Sequence, residues 1–419
     1  MKLGNLRLAR KFYVAGVLLI HLLVVWNARD LIWKGYPDFT IYYTAGTMLR
    51  EGMGHTLYDD AAQFRVQQVF APQVATRLGA LPFNHPPFEA VLFVPLSYLP
   101  YRVAYLLWTF VNLTMLAVLP MLLRPYVPLL RTRPPVAWTV ASLAFFPIFF
   151  ALLQGQDAIL LLSLYAMAFV SWKKERMVSA GAWLACGMFK FHLVLPFLLL
   201  MLIQEKRAGA RRRQLIGFFG VGLILGAVSI VAVGVRQMLF YPHYVLGLEK
   251  TMAMGAIMPS DMPNLRGILY LMASRVRGFD ALVILLSVVV YFLAAWIGGS
   301  ADRDSGDDLN DDLKNDGRND DLRFSLAVFA TVLVSYHGLG YDLCVLTLPV
   351  LLVAGQLGGK IRLVSRSGLA IGAGLAILLF SPLALVLLMR YNHLALLGWA
   401  VLLCFVGLAG ELRSRPRRI

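Results

Sequence analysis

The chain alternates between long apolar runs and short connectors rich in Lys and Arg. The runs approach the ~20 residues that an α-helix needs to cross the hydrocarbon core of a bilayer. They are continuous rather than alternating in polarity, which favours helices over a transmembrane barrel. The pattern predicts twelve spans, with approximate bounds at 12–26, 101–123, 136–153, 158–172, two within 177–204, 215–235, 279–299, 324–336, 343–357, 367–389 and 393–410.

Three connectors are long enough to have a structure of their own. Residues 34–100 and 236–277 are predicted outer loops, and the first should contain helices that lie at the membrane interface. Residues 300–323 are rich in Asp and poor in aromatic residues, which predicts a solvated, partly disordered cytoplasmic linker without the ligand order of a calcium loop. We expect 1–419 to form a single integral membrane domain.

Composition supports this interpretation. The chain is 59% hydrophobic and only 15% charged, so it has too little polar surface for a soluble globule. Its net charge of +16 lies in the connectors rather than in one basic domain, which favours contacts with membrane lipids over nucleic acid. The three cysteines, Cys186, Cys344 and Cys404, have no metal-ligand spacing and are predicted core residues.

The distribution of Lys and Arg also predicts the topology. Most of these residues fall in the two tails and at alternate connectors, so the positive-inside rule places both termini in the cytoplasm and both long loops outside. No small-residue cleavage site follows the first apolar run, which favours a retained helix over a signal peptide. We expect a multi-pass protein of the bacterial inner membrane with its site on the periplasmic, outer side.

With this topology, the polar residues outside the basic connectors converge on the outer boundary. A transporter or channel should place some ionisable groups near mid-membrane, whereas the apolar runs here hold very few. The pattern favours a pocket open to water and to a lipid head group. The residues that map to this boundary are Asp38, His85, Glu89, Gln156, Asp157, Lys190, Arg266, His337 and Asp342.

Such a pocket has a natural chemistry. A carboxylate near several cations could deprotonate an acceptor hydroxyl while the cations hold a phosphate leaving group. One base suffices for an inverting displacement, whereas a retaining mechanism generally needs a second carboxylate as nucleophile. Asp38, directly after the first span, is the candidate base. The alternative is that Asp38 caps a helix beginning at Phe39.

The first outer loop resembles the signature of glycosyltransferase family 87, a family of the GT-C superfamily. The resemblance rests on Asp38-Phe39-x-x-Tyr42-Tyr43-x-Ala45-Gly46, followed by Gly52 and Leu57-Tyr58-Asp59. It extends over most of 36–350, through His85-Pro86-Pro87, Gly155-Gln156, Lys190 and Tyr341-Asp342. One departure is Phe191-His192 after Lys190, where the family often has proline.

The resemblance implies an all-α polytopic membrane protein with a GT-C-type fold, about 12 transmembrane helices and interfacial helices in the first outer loop. It also implies an inverting transferase that moves a sugar, with mannose favoured, from a polyprenyl-phosphate-linked donor to a lipid or glycan acceptor. The lipid-phosphate sugar is a substrate, so no cofactor and no metal are expected. Carried over by position, Asp38 is the base.

The remaining candidates divide into two groups, each with a structural alternative. Donor-phosphate contacts are expected from Lys190, Arg266 and His337; the alternatives are snorkelling for Lys190, lipid phosphate for Arg266 and a turn for His337. Substrate contacts are expected from Tyr42, His85, Gln156 and Asp342. Tyr42 equally fits an interfacial aromatic belt, His85 a structural loop role, and Asp342 a helix start or an ion pair.

Two functions of other classes fit the same pattern. A polytopic lipid or solute transporter or flippase could use an outward-facing polar pocket, and it would leave the lipid covalently unchanged. A non-catalytic scaffold for envelope assembly would tolerate replacement of Asp38 and Lys190.

Overall fold

The computed structural model describes residues 3–78, 80–251, 258–300, 312–358 and 361–414, and within these ranges the chain is helical without a β-strand. Short 3₁₀ segments join many of the helices. The α-helices are α1 Leu3–Trp33, α2 Phe39–Arg50, α3 Asp60–Phe70, α4 Pro72–Leu78, α5 Pro87–Phe93, α6 Tyr101–Leu123, α7 Pro135–Leu143, α8 Phe146–Gln154, α9 Ala158–Lys173, α10 Met177–Cys186, α11 Phe191–Gln204, α12 Ala208–Thr251, α13 Leu265–Ala273, α14 Phe279–Ser300, α15 Asp312–Val334, α16 Thr347–Ala354, α17 Arg366–Leu379, α18 Ser381–Val386 and α19 Gly398–Ser414.

The apolar helices confirm a polytopic all-α membrane protein. In the described ranges, five helices are long and apolar enough to span a bilayer, and the number is eight if each sharply bent pair counts as one span. The predicted count of twelve is not confirmed. Several predicted spans are short helices or halves of bent pairs: α7 with α8 bends by 74°, and α10 with α11 by 62°. Apolar sequence alone does not distinguish a lipid-facing helix from one enclosed by protein.

Helix α9 shows why the shorter apolar helices are stable within the bundle. Its 16 residues are apolar on every side, and most of them are buried against neighbouring helices. A helix that is hydrophobic all round needs an apolar environment on all faces, and here other helices supply it. At its far end, Lys173 pairs with Asp321 of α15 at 2.7 Å. The helix therefore separates this ion pair from Asp157, at its start, by about 24 Å.

The first predicted outer loop, 34–100, folds into a compact group of helices, α2 to α5. Aromatic side chains form its core, with Phe39, Tyr42, Phe83 and Phe93 fully buried. Phe93 lies edge-on against Trp108 of α6 with ring centroids 4.9 Å apart, so the loop is fixed to the long helix that follows it. Aromatic pairs of this geometry add stabilisation beyond burial of their area.

The second long loop and the acidic linker differ in part from expectation. Helix α12 continues to Thr251 past a break at Gly234, whose φ of +82° favours glycine, so the start of 236–277 is helical. The linker 300–323 was expected to be solvated and partly disordered. Residues 301–311 lie outside the described ranges, but from Asp312 the chain is helical, and Asp321 is packed because Lys173 provides its counter-charge.

Helices α10 and α12 cross at glycines, which provides a test of the packing. A methyl group at Gly217 would lie 1.9 Å from the carbonyl oxygen of Val178, whereas nothing lies within 4 Å of the same position at Gly220. Close approach of backbones at small residues is a main source of helix association in membranes. Gly217→Ala should destabilise the protein by about 1–3 kcal/mol. The measurement is thermal unfolding of purified protein in detergent.

Gly220→Ala is the matched control in the same helix. Alanine is the better helix former by up to about 1 kcal/mol, so this variant should be as stable as the parent or slightly more stable. Equal melting temperatures for the two variants would contradict the α10–α12 contact.

Candidate active site

Asp38 lies in the short turn between α1 and α2, at the first of several helix breaks that meet at one end of the bundle. Its side chain makes no capping hydrogen bond to α2, so the cap alternative is not realised. Instead, Oδ2 of Asp38 accepts a hydrogen bond of 2.7 Å from Nε2 of Gln156. The backbone N–H of Asp38 donates to Oε1 of Gln154 at 3.2 Å, which ties the turn to the end of α8. The residue as a whole is half-buried.

Gln156 is oriented by Tyr42. The phenolic hydroxyl of Tyr42 donates to Oε1 of Gln156 at 2.7 Å, which turns the amide NH₂ of Gln156 towards Asp38. Both side chains are buried. Gly155, with φ of +61°, allows the tight turn after α8 that presents Gln156 and Asp157 to the site. Gln156 therefore contacts the candidate base, and Tyr42 contacts Gln156. Both residues were predicted to contact substrate.

Lys190 occupies the break between α10 and α11 and is buried between two carboxylates. Its Nζ lies 3.0 Å from Oδ1 of Asp157 and 2.9 Å from Oδ1 of Asp342. The ammonium also lies 5.0 Å from the ring centroid of Tyr341. A buried lysine needs such compensation because desolvation of an isolated charge is costly. Lys190, which was predicted to contact the phosphate of the sugar donor, is thus part of a buried ion-pair network.

Asp342, a predicted substrate contact, has two structural partners. One oxygen pairs with Lys190, and the other accepts the backbone N–H of Leu339 at 2.8 Å. It thereby closes the first turn of the 3₁₀ segment Gly340–Leu346, which leads into α16. Asp342 therefore stabilises the start of a helical segment and forms an ion pair, which are the two structural alternatives to a substrate contact.

His85 lies before α5 and faces two carboxylates. Its Nδ1 is 2.7 Å from Oε2 of Glu89, one turn later, and 3.7 Å from Oδ2 of Asp157. The ring also contacts Tyr42 edge-on, with centroids 5.1 Å apart. Glu89 and Asp157 were placed at the outer boundary by the sequence but were not chosen as site residues. Two features of the sequence could have identified them: Glu89 lies four residues after His85, and Asp157 is adjacent to Gln156.

Burial changes the proton affinities of the groups outside the spans. Burial raises the pKa of Asp38, although the hydrogen bond from Gln156 and the charge of Lys190 oppose it. Burial likewise raises the pKa of Glu89 to about 8, with the neighbouring Asp157 charge adding to the effect. For His85, burial acts to lower the pKa, but the carboxylates of Glu89 and Asp157 outweigh it, and the pKa is raised.

Arg266 and His337 come together at Tyr336. The guanidinium of Arg266 stacks on the ring of Tyr336 at 3.8 Å and donates to the Tyr336 carbonyl oxygen at 3.3 Å. His337, the next residue, lies 6.5 Å from His192 between ring centroids. His192 in turn is within electrostatic range of Lys190 and His85. His192 was expected to be packed or interfacial, and it is a further candidate that the sequence did not single out.

These contacts bring all the predicted site residues to one end of the helical bundle. The carboxylates of Glu89, Asp157 and Asp342 each pair with a cationic or histidine side chain, while Asp38 is held by the Gln156 amide and the Tyr341 hydroxyl. Because both of these partners are neutral, Asp38 can accept a proton from a substrate hydroxyl. Arg266 can supply positive charge to an anionic group, and His192 and His337 can supply N–H donors. This combination suits displacement of an anionic leaving group by a hydroxyl.

Comparison with known protein families matches residues 83–309 to glycosyltransferase family 87. The match includes His85, Gln156, Lys190 and Arg266, and it begins after Asp38 and ends before His337. No curated protein and no solved structure gives a significant match. The match spans more than half of the 419 residues. The chain therefore belongs to glycosyltransferase family 87.

Proposed function

We propose that this glycosyltransferase is an inverting enzyme that uses a polyprenyl-phosphate-linked sugar as donor and Asp38 as general base. The sugar that the family resemblance implies is mannose, and the acceptor is a lipid or glycan hydroxyl. We further propose that the site faces the outer side of the bacterial inner membrane, with both termini in the cytoplasm. The single observation that carries the proposal is the Asp38 carboxylate, which the Gln156 amide holds beside a buried ionic cluster.

At the anomeric carbon, the proposed step forms one bond and breaks one. Asp38 accepts the proton of the acceptor hydroxyl, whose oxygen attacks the anomeric carbon of the donor sugar. The bond between that carbon and the phosphate oxygen breaks, and the polyprenyl phosphate leaves with its electron pair. Because a phosphate anion is a good leaving group, no general acid is needed for its departure. Proton transfer by a positioned base contributes about 10²–10⁴-fold to such a rate.

The pairing of the other carboxylates supports inversion. A retaining mechanism needs a carboxylate nucleophile about 5–5.5 Å from the acid. Asp157 and Asp342 both pair with Lys190, and Glu89 pairs with His85, so each of these carboxylates is engaged by a cationic or histidine side chain. Asp38 is therefore the carboxylate best placed to contact the acceptor.

Arg266 and His337 are the proposed first contacts of the donor phosphate, with His192 beside them. The guanidinium lies flat on Tyr336, a geometry that fixes the plane of its donors. The sequence predicts that Lys190 binds the donor phosphate directly. We propose that it instead positions Asp157 and Asp342 and adds positive charge at the site.

The first test is Asp38→Asn. Asparagine keeps the size of the side chain but cannot accept the acceptor proton, so turnover should fall by about 10²–10⁴-fold. Product formation is measured with purified protein, a synthetic polyprenyl-phosphate mannose and membrane lipids as acceptors. Asp30→Asn, an exposed aspartate near the end of α1, is the matched control and should keep full activity. Full activity of the Asp38→Asn variant would end the assignment, and lipid flux without covalent product would favour the transporter alternative.

The pH profile provides a second test. Activity requires ionised Asp38 and should be lost as pH falls through its pKa, which burial raises above the ordinary ~3.9. Gln156→Ala removes a hydrogen bond that stabilises the carboxylate, so the acid limb of kcat/KM should move to higher pH. Tyr42→Phe should move the limb in the same direction by less, because the amide remains but loses its orientation.

Gln73→Ala, at an exposed position of α4, is the control for this profile and should leave the acid limb in place. A purely structural role of Gln156 would lower activity without moving the limb, and that result would contradict the positioning by Tyr42 and Gln156.

A third test concerns the donor. Arg266→Gln and His337→Asn should each lower kcat/KM for the polyprenyl-phosphate sugar by about 10- to 100-fold, since a charge-assisted hydrogen bond contributes about 1.5–3 kcal/mol. The exposed Arg275, in the same connector as Arg266, serves as the control through Arg275→Gln. An equal loss in the Arg275 variant would indicate general attraction of the anionic lipid rather than a phosphate site.

A further inference from the structure

His85, Glu89 and Asp157 bring three potential metal ligands to one point. One ligand atom from each residue lies within 4.8 Å of the others. Nδ1 of His85 is 2.7 Å from the Glu89 carboxylate and 3.7 Å from the Asp157 carboxylate. Ligand atoms bound to one ion through bonds of about 2.0–2.2 Å lie roughly 3–3.5 Å apart, which falls between these two distances. Small side-chain rotations would therefore complete a site.

The charges of the cluster favour a cation there. Four carboxylates, those of Asp38, Glu89, Asp157 and Asp342, share one end of the bundle with Lys190 and His85. Even with His85 protonated, negative charge exceeds positive charge in this group. Glu89 and Asp157 are buried, and buried carboxylates need either protons or cations to compensate for lost solvation.

Lys190 does not occupy the position that an ion would take. Its ammonium pairs with Oδ1 of Asp157, whereas the oxygen that faces His85 is Oδ2. One carboxylate can therefore bridge the lysine and an ion. The carboxyl group of Glu89 also lies within hydrogen-bond range of the Asp157 carboxylate, and a divalent ion would replace the proton that these two groups share.

We propose that His85, Glu89 and Asp157 bind one divalent transition-metal ion of the Mn²⁺ or Zn²⁺ type. An imidazole nitrogen with two carboxylates suits these ions better than Ca²⁺ or Mg²⁺, which prefer ligands that are all oxygen. The site differs from the metal-free chemistry that the family resemblance implies. It goes beyond the proposed transfer reaction, because binding requires neither donor nor acceptor.

The ion would connect the first loop to the centre of the bundle. His85 and Glu89 belong to the segment that forms α5, and Asp157 begins α9. A shared ion fixes these two segments and holds the imidazole against Tyr42, the residue that orients Gln156. Its role is therefore to position the loop and to compensate the buried carboxylates.

Direct metal analysis of the full-length protein tests the site. Protein purified in detergent is stripped with a chelator and titrated with Mn²⁺, and bound metal is measured by plasma mass spectrometry. We expect saturable binding of about one ion per chain and electron paramagnetic resonance that shows hyperfine coupling to one ¹⁴N, from His85. Absence of saturable binding, or bound Mn²⁺ without nitrogen coupling, would overturn the proposal.

Substitution of single carboxylates tests which residues bind the ion. Glu89→Gln should reduce Mn²⁺ affinity at least 10-fold and abolish the rise in melting temperature that Mn²⁺ gives the parent protein. Glu51→Gln, an exposed glutamate of the same loop, is the matched control and should bind as the parent does. Equal affinity in the two variants would overturn the site. If the Glu89→Gln variant does not fold, the nitrogen coupling in the parent protein decides the question. These measurements involve no turnover, so their outcome is distinct from that of the transfer assay.

Discussion

The buried ammonium of Lys190 is the interaction on which the arrangement of the site depends. It brings together Asp157 at the start of α9 and Asp342 before α16, which are distant in sequence. Removal of the lysine would leave two buried carboxylates without their shared cation, at a cost of about 3–5 kcal/mol. This demand for compensation disfavours any packing of α9, α11 and α16 that would leave one of these charges unpaired. The ion pairs therefore act as a constraint on the fold as well as part of the site.

The same constraint explains why most of the candidate residues lie at or next to a helix break, with Tyr42 inside α2 as an exception. An ionisable side chain in the middle of a membrane-spanning helix is costly, so charged side chains gather where helices begin or end. Asp157 and Lys190 each precede a helix, and such positions carry partial positive charge from unpaired N–H groups. Carboxylates are stabilised at helix starts, whereas Lys190 is not, which makes its two carboxylate partners necessary.

Much of this arrangement follows from sequence, because breaks in apolar runs are visible in it. The span 101–123, the turn at Gly155 and the break at Lys190 all lie where the pattern places them. The pairings do not follow, because Lys190 has several carboxylates within reach of the same boundary and only packing selects two. The number of spans was also not predictable, because α9 has the composition of a lipid-facing helix but is enclosed by protein. Similarly, the substrate contact and the interfacial aromatic belt that the sequence allows for Tyr42 differ only in which neighbours surround the ring.

The chemical difference between Asp38 and its neighbours arises from the type of partner each carboxylate has. A cation stabilises the ionised form strongly and lowers its basicity, as Lys190 does for Asp157. An amide donor fixes the orientation of a carboxylate with a weaker effect on proton affinity, and Gln156 holds Asp38 in this way. The cluster thus contains carboxylates that pair with cations and one, Asp38, whose hydrogen-bond partners are neutral. In the proposed mechanism, glutamine rather than lysine or arginine beside Asp38 leaves this carboxylate basic enough to accept a proton within a densely charged site.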